Sequence, residues 1–205
     1  GQEVLAAQEG LILPIKMEDL PMSGKDMYPF AIEGIARGEG PVHGIAAVGL
    51  TYNTKRVPKK PTKWADLWDP IYKDHILFTD LANSTGLYGF LMINKVKGGT
   101  IQNIEPGLQA IKQLLDGAVI VTTSPEVQQN FAQNDTWISP HTLEYTYSLR
   151  KAGFPIDFVQ PEEGTQVIYL TANLVANRPN IDLAKKFIDF SLSANAQADW
   201  AKIMR

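Results

Sequence analysis

Four consecutive small polar residues have the types and the placement of an anion-binding turn. They are Asn83, Ser84, Thr85 and Gly86, and they lie between a predicted strand at residues 76–79 and a predicted helix. Unpaired backbone N–H groups at a helix N-terminus point outward and carry about half a positive charge. Glycine leaves the backbone open to a ligand, and the three side chains add donors. The turn therefore predicts a site for a carboxylate or phosphonate oxygen, with helix capping by Ser84 as the alternative.

A second polar group follows another predicted strand, at residues 136–139. Ser139 and His141 lie where this strand ends and a helix from about residue 140 is predicted to begin. Ligands of α/β proteins bind beyond the carboxyl ends of strands, so both residues are candidates for ligand contact. The alternative for His141 is a solvated residue in the first turn of the helix.

The sequence lacks the residue patterns of metal-dependent and nucleophilic enzymes. Cysteine is absent, which removes thiolate zinc sites, disulfides and a cysteine nucleophile. His43, His75 and His141 are scattered without the spacing of a metal site. Neither a Gly-x-Ser-x-Gly elbow nor a Gly-x-x-x-x-Gly-Lys phosphate loop occurs. We therefore expect no catalytic residues, no bound metal and no cofactor.

The composition is that of an ordinary globular protein. Hydrophobic residues make up 44% and charged residues 20% of 205 positions, a length that allows one large domain or two small ones. The net charge of −3 lacks the basic footprint of nucleic-acid binding, so no nucleic acid partner is expected. No stretch approaches the roughly 20 apolar residues of a membrane span.

Strand and helix signals alternate along the chain. Strand signals lie at residues 42–52, 76–79, 118–123, 136–139, 156–159 and 165–174. Helix signals lie at residues 2–9, 64–68, 84–96, 104–116, 125–132, 140–151 and from 181 onward. Strands that alternate with helices in this way predict an α/β fold with a mostly parallel sheet.

Four segments of the sequence carry a resemblance to a known family. They are GLTYNT at residues 49–54, PTKWADLWDP at 61–70, AGFPIDFVQPEEG at 152–164 and AKKFIDFSLSANAQ at 184–197. In this order they resemble type 2 solute-binding proteins of ABC importers. The branch is the one that includes polyamine, γ-aminobutyrate, aminoethylphosphonate, thiamine and ferric-ion binders. Each segment alone is a weak signal, whereas all four in this order, with the right separations, are specific and cover nearly the whole chain.

The resemblance implies a type 2 periplasmic-binding-protein fold with two α/β lobes joined by hinge strands. It places residues 1–50 and 160–205 in one lobe and residues 51–159 in the other, with the crossings near residues 50–53 and 158–163. The implied function is capture of a small solute in the cleft between the lobes, followed by recognition of the closed form by an ABC permease in the membrane. The implied location is the periplasm, although no signal peptide is visible in this sequence.

The resemblance also extends the set of candidate ligand-binding residues. Tyr52 follows the first hinge, where it either lines the cleft or packs beneath the hinge. Ser139 and His141 fall where polyamine-binding relatives have an aromatic-centred ligand contact. Tyr169 and Thr171 lie in the strand that resembles the second wall of the cleft.

The residue types favour a small carboxylate, zwitterion or phosphonate as the solute. A diammonium ligand requires buried carboxylate partners, because an unpaired buried charge is costly, and Thr171 stands where polyamine binders have a carboxylate. Ferric-ion binders rely on two adjacent tyrosines, whereas Tyr145 and Tyr147 are two positions apart and on different faces of a helix. Both differences argue against polyamine and iron as ligands.

The sequence departs from intact members of the resembled family in its length. It starts without the strand-helix-strand-helix-strand unit of those members and ends without their C-terminal helices. We therefore expect a fragment whose first lobe leaves apolar surface uncovered. Such surface usually drives association.

Two other functions remain open at this point. The same two-lobed fold also serves as the ligand-sensing effector domain of regulators, which a helix-turn-helix in a preceding segment would favour. It also carries enzymes, although the sequence supplies no paired acid and base, so we expect no enzyme activity. The resemblance to the transporter branch favours the solute-binding protein.

Overall fold

The computed structural model describes residues 2–133 and 135–203. The strands are β1 (Ile12–Leu13), β2 (Val42–Asn53), β3 (Leu77–Thr79), β4 (Val119–Val121), β5 (Ile138–Thr142), β6 (Ile156–Val159), β7 (Gln166–Thr171) and β8 (Leu174–Val175). The α-helices are α1 (Gln2–Gln8), α2 (Pro29–Ile32), α3 (Ser84–Val96), α4 (Glu105–Leu115), α5 (Ser124–Ala132), α6 (Leu143–Lys151), α7 (Ile181–Leu192) and α8 (Ala194–Ile203). Helices and strands alternate as the sequence predicts, and the fold is α/β. The expectation of a mostly parallel sheet is wrong, because β1/β8, β2/β5 and β2/β6 pair in antiparallel fashion, whereas β3/β4 are parallel.

The chain divides into two units. Unit 1 contains Gly1–Ile45 and Tyr169–Arg205, and unit 2 contains Ala46–Ile168. The chain therefore passes into unit 2 within β2 and returns to unit 1 within β7. The first passage comes five residues before the boundary expected after residue 50, and the second comes nine residues after the boundary expected after residue 159.

The late return has a physical cause in the segment that follows β6. The backbone N–H of Glu162 donates to the carbonyl of Thr62 at 2.9 Å. The backbone N–H of Trp64 donates to the carboxylate of Glu163 at 3.1 Å, and its indole N–H donates to the carbonyl of Gly164 at 2.9 Å. These three hydrogen bonds hold the segment on unit 2 beyond the expected crossing.

A five-stranded arrangement forms the centre of unit 2. β3 and β4 are parallel, and β2 is antiparallel to both β5 and β6. A parallel bridge between Ile76 and Ile138 connects the start of β3 to the start of β5. Across unit 2 the strands thus follow in the order β4, β3, β5, β2 and β6. β3, β4 and β5 all point in one direction.

Alternate side chains of β3 enter two separate cores. Leu77 packs on one face of the sheet with residues of α5 and α6, namely Val127, Phe131 and Leu149. Phe78 packs on the other face with residues of α3 and α4, namely Phe90, Ile93 and Leu114. Because successive strand side chains point to opposite faces, each face is covered by one pair of helices.

Three elements differ from the sequence-based expectation. Residues Trp64–Trp68 form a 3₁₀ helix in place of an α-helix, with the Asp66 carboxylate accepting hydrogen bonds from the backbone that precedes it. β5 continues to Thr142, so the next helix begins at Leu143 and not near residue 140. The strand expected at residues 165–174 is two strands, β7 and β8.

Unit 1 has a small core of its own. β1 and β8 are antiparallel, and the core residues are Ile15, Leu20, Leu174, Ile188 and Leu192. Asp189 of α7 is also buried, and its Oδ1 atom accepts hydrogen bonds from the backbone N–H of Ser23 at 2.9 Å and from the Ser23 hydroxyl at 2.8 Å. This carboxylate ties α7 to the segment that precedes α2.

Helix α7 is apolar on two faces, and only one of them is covered. Ile188 and Leu192 are buried in the unit 1 core. Leu183, Phe187 and Phe190 recur at helical spacing on another face and are 65%, 67% and 57% exposed. A helix normally buries an apolar stripe of this width, so the exposed stripe agrees with the expectation of uncovered apolar surface on the first lobe.

Candidate functional site

Three helices begin at the same edge of unit 2. β3, β4 and β5 are parallel, and each is followed directly by the start of a helix: α3, α5 and α6. We call this side the carboxyl edge of unit 2. The first turn of each helix has backbone N–H groups without partners inside the helix, and these carry a fractional positive charge. This is the edge at which α/β sheets bind ligands.

Asn83 caps α3, while Ser84 remains exposed at its first position. The Asn83 side-chain oxygen accepts a hydrogen bond from the backbone N–H of Thr85 at 2.9 Å. Helix capping by Ser84 was the alternative predicted from the sequence, but the capping residue is Asn83. Thr85 is half-buried. The Ser84 hydroxyl is thus placed at the helix start without a capping role.

Gly86 has a packing reason to be glycine. A Cβ atom at this position would overlap the backbone carbonyl oxygens of Thr79 and Asp80 at the end of β3. The sequence analysis related this glycine to close approach of a ligand. The structure shows that it permits close approach of the preceding strand instead, so a ligand is not needed to explain it.

His141 is buried within β5 and does not open a helix. The backbone N–H of Thr142 donates to its Nδ1 atom at 2.8 Å, and the imidazole stacks on the ring of Tyr145 with centroids 4.5 Å apart. Burial lowers the pKa of His141 to about 4. The alternative of a solvated residue in a first helical turn therefore does not hold, because the strand extends past position 141.

Ser139 lies in a row of buried hydroxyl groups next to His141. It is opposite Thr51 in the antiparallel register, and its hydroxyl donates to the carbonyl of Pro140 at 3.2 Å. The hydroxyls of Thr51 and Thr146 hydrogen-bond each other. On β3, the buried Thr79 hydroxyl has no hydrogen-bond partner among the described residues. A buried polar atom without a partner near the carboxyl edge is a candidate for solute or water contact.

Tyr52 is a core residue at the other end of the sheet. It pairs with Ile138 at the start of β5, whereas His141 lies near the end of that strand. Its side chain is buried in the larger core of unit 2. Burial and the nearby Asp157 carboxylate raise the pKa of its hydroxyl. The structure thus supports the packing role of the two considered, and Tyr52 is remote from the carboxyl edge.

Tyr169 and Thr171 belong to unit 1. The Tyr169 ring is 49% exposed and stacks on Phe30, which in turn stacks on Tyr28. Thr171 is half-buried, and its hydroxyl accepts a hydrogen bond from the side-chain amide of Asn173 at 2.9 Å. Tyr28 and Phe30 were not predicted from the sequence, since nothing in their spacing connects them with a strand so distant in the chain.

The charged groups at the carboxyl edge of unit 2 are carboxylates. Asp80 follows β3, and Glu126 and Glu144 lie in the first turns of α5 and α6. The sequence has no lysine or arginine between Lys73 and Lys95. It has none in residues 113–149 either. The edge thus combines helix N-termini with negative side chains.

The helix starts differ in whether a carboxylate of the chain already lies at them. The Glu126 carboxylate accepts hydrogen bonds from the backbone N–H groups of Thr122 and Thr123 at 2.9 and 2.8 Å, which lowers its pKa. Helix α5 therefore carries its own anion. At the start of α6, the N-cap residue Thr142 makes no side-chain capping hydrogen bond.

Two features are absent from the described residues, 2–133 and 135–203. No group of three or more histidine and acidic residues has the arrangement of a metal site. No helix of this part of the chain is long and apolar enough to cross a membrane.

Comparison with known proteins identifies the family. The family described as bacterial extracellular solute-binding protein matches residues 5–205. The chain belongs to this family. Among curated relatives, the spermidine/putrescine-binding periplasmic protein of Escherichia coli strain K12 is 29% identical over 153 residues, which is 74% of this chain and 43% of that protein. An uncharacterized protein of Haemophilus influenzae is 27% identical over 204 residues, 94% of this chain and 56% of that protein.

Solved structures of this family share the fold. A spermidine/putrescine ABC transporter substrate-binding protein from Streptococcus pneumoniae matches with a TM-score of 0.81 and 18% identity, covering 98% of this chain and 63% of that chain. The periplasmic binding protein AfuA from Actinobacillus pleuropneumoniae, solved with fructose-6-phosphate, matches with a TM-score of 0.73 and 22% identity over 98% of this chain and 64% of that chain. The type 2 periplasmic-binding fold is thereby established. The chain spans about half the length of the curated relatives it matches.

Proposed function

We propose that this solute-binding protein is the capture component of an ABC importer, that it acts in the periplasm, and that it delivers a small zwitterion to a membrane permease. Family membership and the names of the relatives support the first part of the proposal. The zwitterion is chosen from the three solute classes that the sequence favours. It is the class whose two charges match the carboxyl edge of unit 2.

Helix N-termini and carboxylates lie together at the carboxyl edge of unit 2, and this pairing supports a zwitterion as the solute. The Ser84 hydroxyl at the start of α3 offers a donor to an acidic group of the solute, and the fractional positive charge at the start of α6 favours such a group. The carboxylates of Asp80 and Glu144 lie at the same edge and complement an ammonium group. A solute with only an acidic group would leave these carboxylates repelling it.

His141 supplies a neutral donor next to these groups. Its Nδ1 atom accepts a hydrogen bond, so the proton of the neutral ring is on Nε2, the nitrogen that would donate to a carboxylate or phosphonate oxygen. Ser139 and Thr79 add buried hydroxyls on neighbouring strands.

Polyamines are the competing solute class, since several relatives are named for spermidine and putrescine. Asp80 and Glu144 are compatible with a cationic ligand. However, Thr171 stands where the resembled polyamine binders have a carboxylate, and the helix starts favour an acidic group. A polyamine has no acidic group that could interact with these helix starts.

Titration calorimetry of the intact chain with amino acids, aminophosphonates, putrescine and spermidine tests the proposal. We expect binding of at least one zwitterion, and we expect the change of Ser84 and Thr85 to alanine to weaken it by about 1–3 kcal/mol, the usual range for hydrogen bonds to a charged group. Gln113→Ala, an exposed change on α4, is the control and leaves affinity unchanged.

Two outcomes would overturn the proposal. One is tight binding of putrescine or spermidine with no response to any zwitterion. The other is unchanged zwitterion affinity in the Ser84 and Thr85 double variant, which would remove the start of α3 from the site. Chemical turnover of a bound solute during the titration would instead identify an enzyme.

A further inference from the structure

Five cations lie within nine residues on one loop of unit 2. They are Lys55, Arg56, Lys59, Lys60 and Lys63, and all five are exposed. We call residues 55–63 the basic loop. It contains no acidic residue. Lys63 pairs with the exposed carboxylate of Glu162 at 3.4 Å, whereas no ion pair involves the other four cations within the part of the chain that the structure describes.

The backbone of the basic loop is anchored, so the cations are displayed on a fixed platform. Val57 is buried in the larger core of unit 2, and its N–H donates to the carbonyl of Asn53 at 3.0 Å. Pro61 is buried, and Trp64 directly after the loop is fully buried. Proline also restricts the backbone. Val57 and Pro61 therefore point inward while the charged side chains point to solvent.

The nearest carboxylates are engaged with backbone groups. Asp66 accepts hydrogen bonds from the N–H groups of Thr62 and Lys63 at 2.7 and 3.0 Å. Glu163 accepts one from the N–H of Trp64 at 3.1 Å. These carboxylates serve as caps, so they do not form ion pairs with Lys55, Arg56, Lys59 or Lys60.

Two recesses lie between the cations of the basic loop and the surface of unit 2. Lys55 and Arg56 line a recess of about 450 Å³ together with Phe131, Phe154 and Pro155. Lys59 and Lys60 line a second recess, of about 150 Å³, together with Tyr72 and the carboxylates of Asp66 and Asp69. The first is lined by cations and apolar groups together, which suits an anionic group attached to an apolar one.

The basic loop is at the opposite end of the sheet from the candidate solute site. β2 ends at Asn53, and the antiparallel register places this end beside the start of β5, with Tyr52 opposite Ile138. The candidate site lies where β3, β4 and β5 end. A partner on the basic loop would therefore leave the carboxyl edge of unit 2 accessible.

We propose that the basic loop docks this protein on a lipid bilayer that carries anionic headgroups. Four of the five cations are lysines, and lysine is depleted in protein–protein interfaces but effective as a mobile point charge at an anionic membrane surface. Clusters of about four to eight basic residues bind such surfaces. Nucleic acid fits less well, because the whole chain has a net charge of −3 and a pI near 5.6.

Co-sedimentation with lipid vesicles tests the docking proposal. The vesicles contain phosphatidylglycerol and phosphatidylcholine in equal parts, or phosphatidylcholine alone. The test variant changes Lys55, Arg56, Lys59 and Lys60 to glutamine. The control variant changes four exposed lysines elsewhere to glutamine, Lys25, Lys95, Lys112 and Lys186, so that both variants have the same net charge.

We expect the intact chain and the control variant to bind the phosphatidylglycerol vesicles at low ionic strength and to be released by about 0.5 M salt, which screens the attraction. The test variant should bind more than about tenfold more weakly, and none of the three should bind phosphatidylcholine alone. No binding by the intact chain, an equal loss in the control variant, or preferential binding of DNA or polyglutamate would overturn the proposal. Solute titration of the same variants remains a separate readout, since the basic loop and the solute edge are at opposite ends of unit 2.

Discussion

Thr142 donates its backbone N–H to the Nδ1 atom of His141 over 2.8 Å. A backbone N–H can only donate, so Nδ1 is the acceptor and the proton of the neutral imidazole is on Nε2. Burial lowers the pKa of His141 to about 4, and the ring therefore stays neutral near pH 7. The bond thus determines which ring nitrogen carries the proton.

The buried imidazole predicts a loss of stability in acid. In the folded chain His141 takes up a proton only near pH 4, whereas in the unfolded chain it does so below its ordinary pKa of 6.5. Between these values the unfolded state binds more protons. The contribution of His141 is therefore fully present above pH 6.5 and is lost as the pH falls towards 4, by roughly 3 kcal/mol in total.

Urea unfolding of the intact chain and of His141→Asn measures this contribution. Asparagine retains an acceptor for the Thr142 N–H but does not titrate. We expect the difference in unfolding free energy between the two proteins to become smaller from about pH 7 to about pH 4.5. Parallel curves over this interval would show that His141 is not the group responsible.

Gly86→Ala should destabilise unit 2 by about 1–3 kcal/mol, the usual cost of overpacking. The added methyl group would overlap the carbonyl oxygens of Thr79 and Asp80, and neither backbone segment can move freely. Gly44→Ala is the matched control, because its Cβ would meet only Leu170, at an ordinary contact distance of 3.6 Å. Thermal unfolding followed by circular dichroism separates the two, and equal midpoints would contradict the packing role of Gly86.

Asp189→Ala should destabilise unit 1 by about 2–4 kcal/mol. The change leaves the backbone N–H groups of Met22 and Ser23 and the Ser23 hydroxyl without their acceptor in a partly buried place. Asp182→Ala, an exposed change on the same helix, serves as the control. Limited proteolysis would detect the effect as faster cleavage within residues 1–45, and identical cleavage of both variants would count against it.

The exposed stripe of α7 should make the chain associate. Phe187→Ser combined with Phe190→Ser removes two rings that are 67% and 57% exposed, so we expect sedimentation velocity to shift towards the monomer. Ile101→Ser, which removes a lone exposed side chain of unit 2, should have no such effect. An intact chain that is already monomeric at high concentration would refute the prediction.

The sequence by itself determined those features that depend on neighbouring residues. The alternation of strands and helices, the polar turn at Asn83 and the absence of cations near it are all readable at short spacing. The segments at residues 49–54 and 152–164 were sufficient, with two others, to indicate the family and its fold. These features follow from backbone propensity and from local patterning, which a linear sequence records directly.

Only the tertiary structure decided which distant groups meet. It buried His141 within β5, gave Gly86 a packing partner at the end of β3, and stacked Phe30 on Tyr169. It also decided that Tyr52 packs in the core. Burial and ring contacts depend on how strands and helices pack across long stretches of chain. No local pattern encodes that packing, because the same residue types at the same spacing are compatible with either an exposed or a buried position.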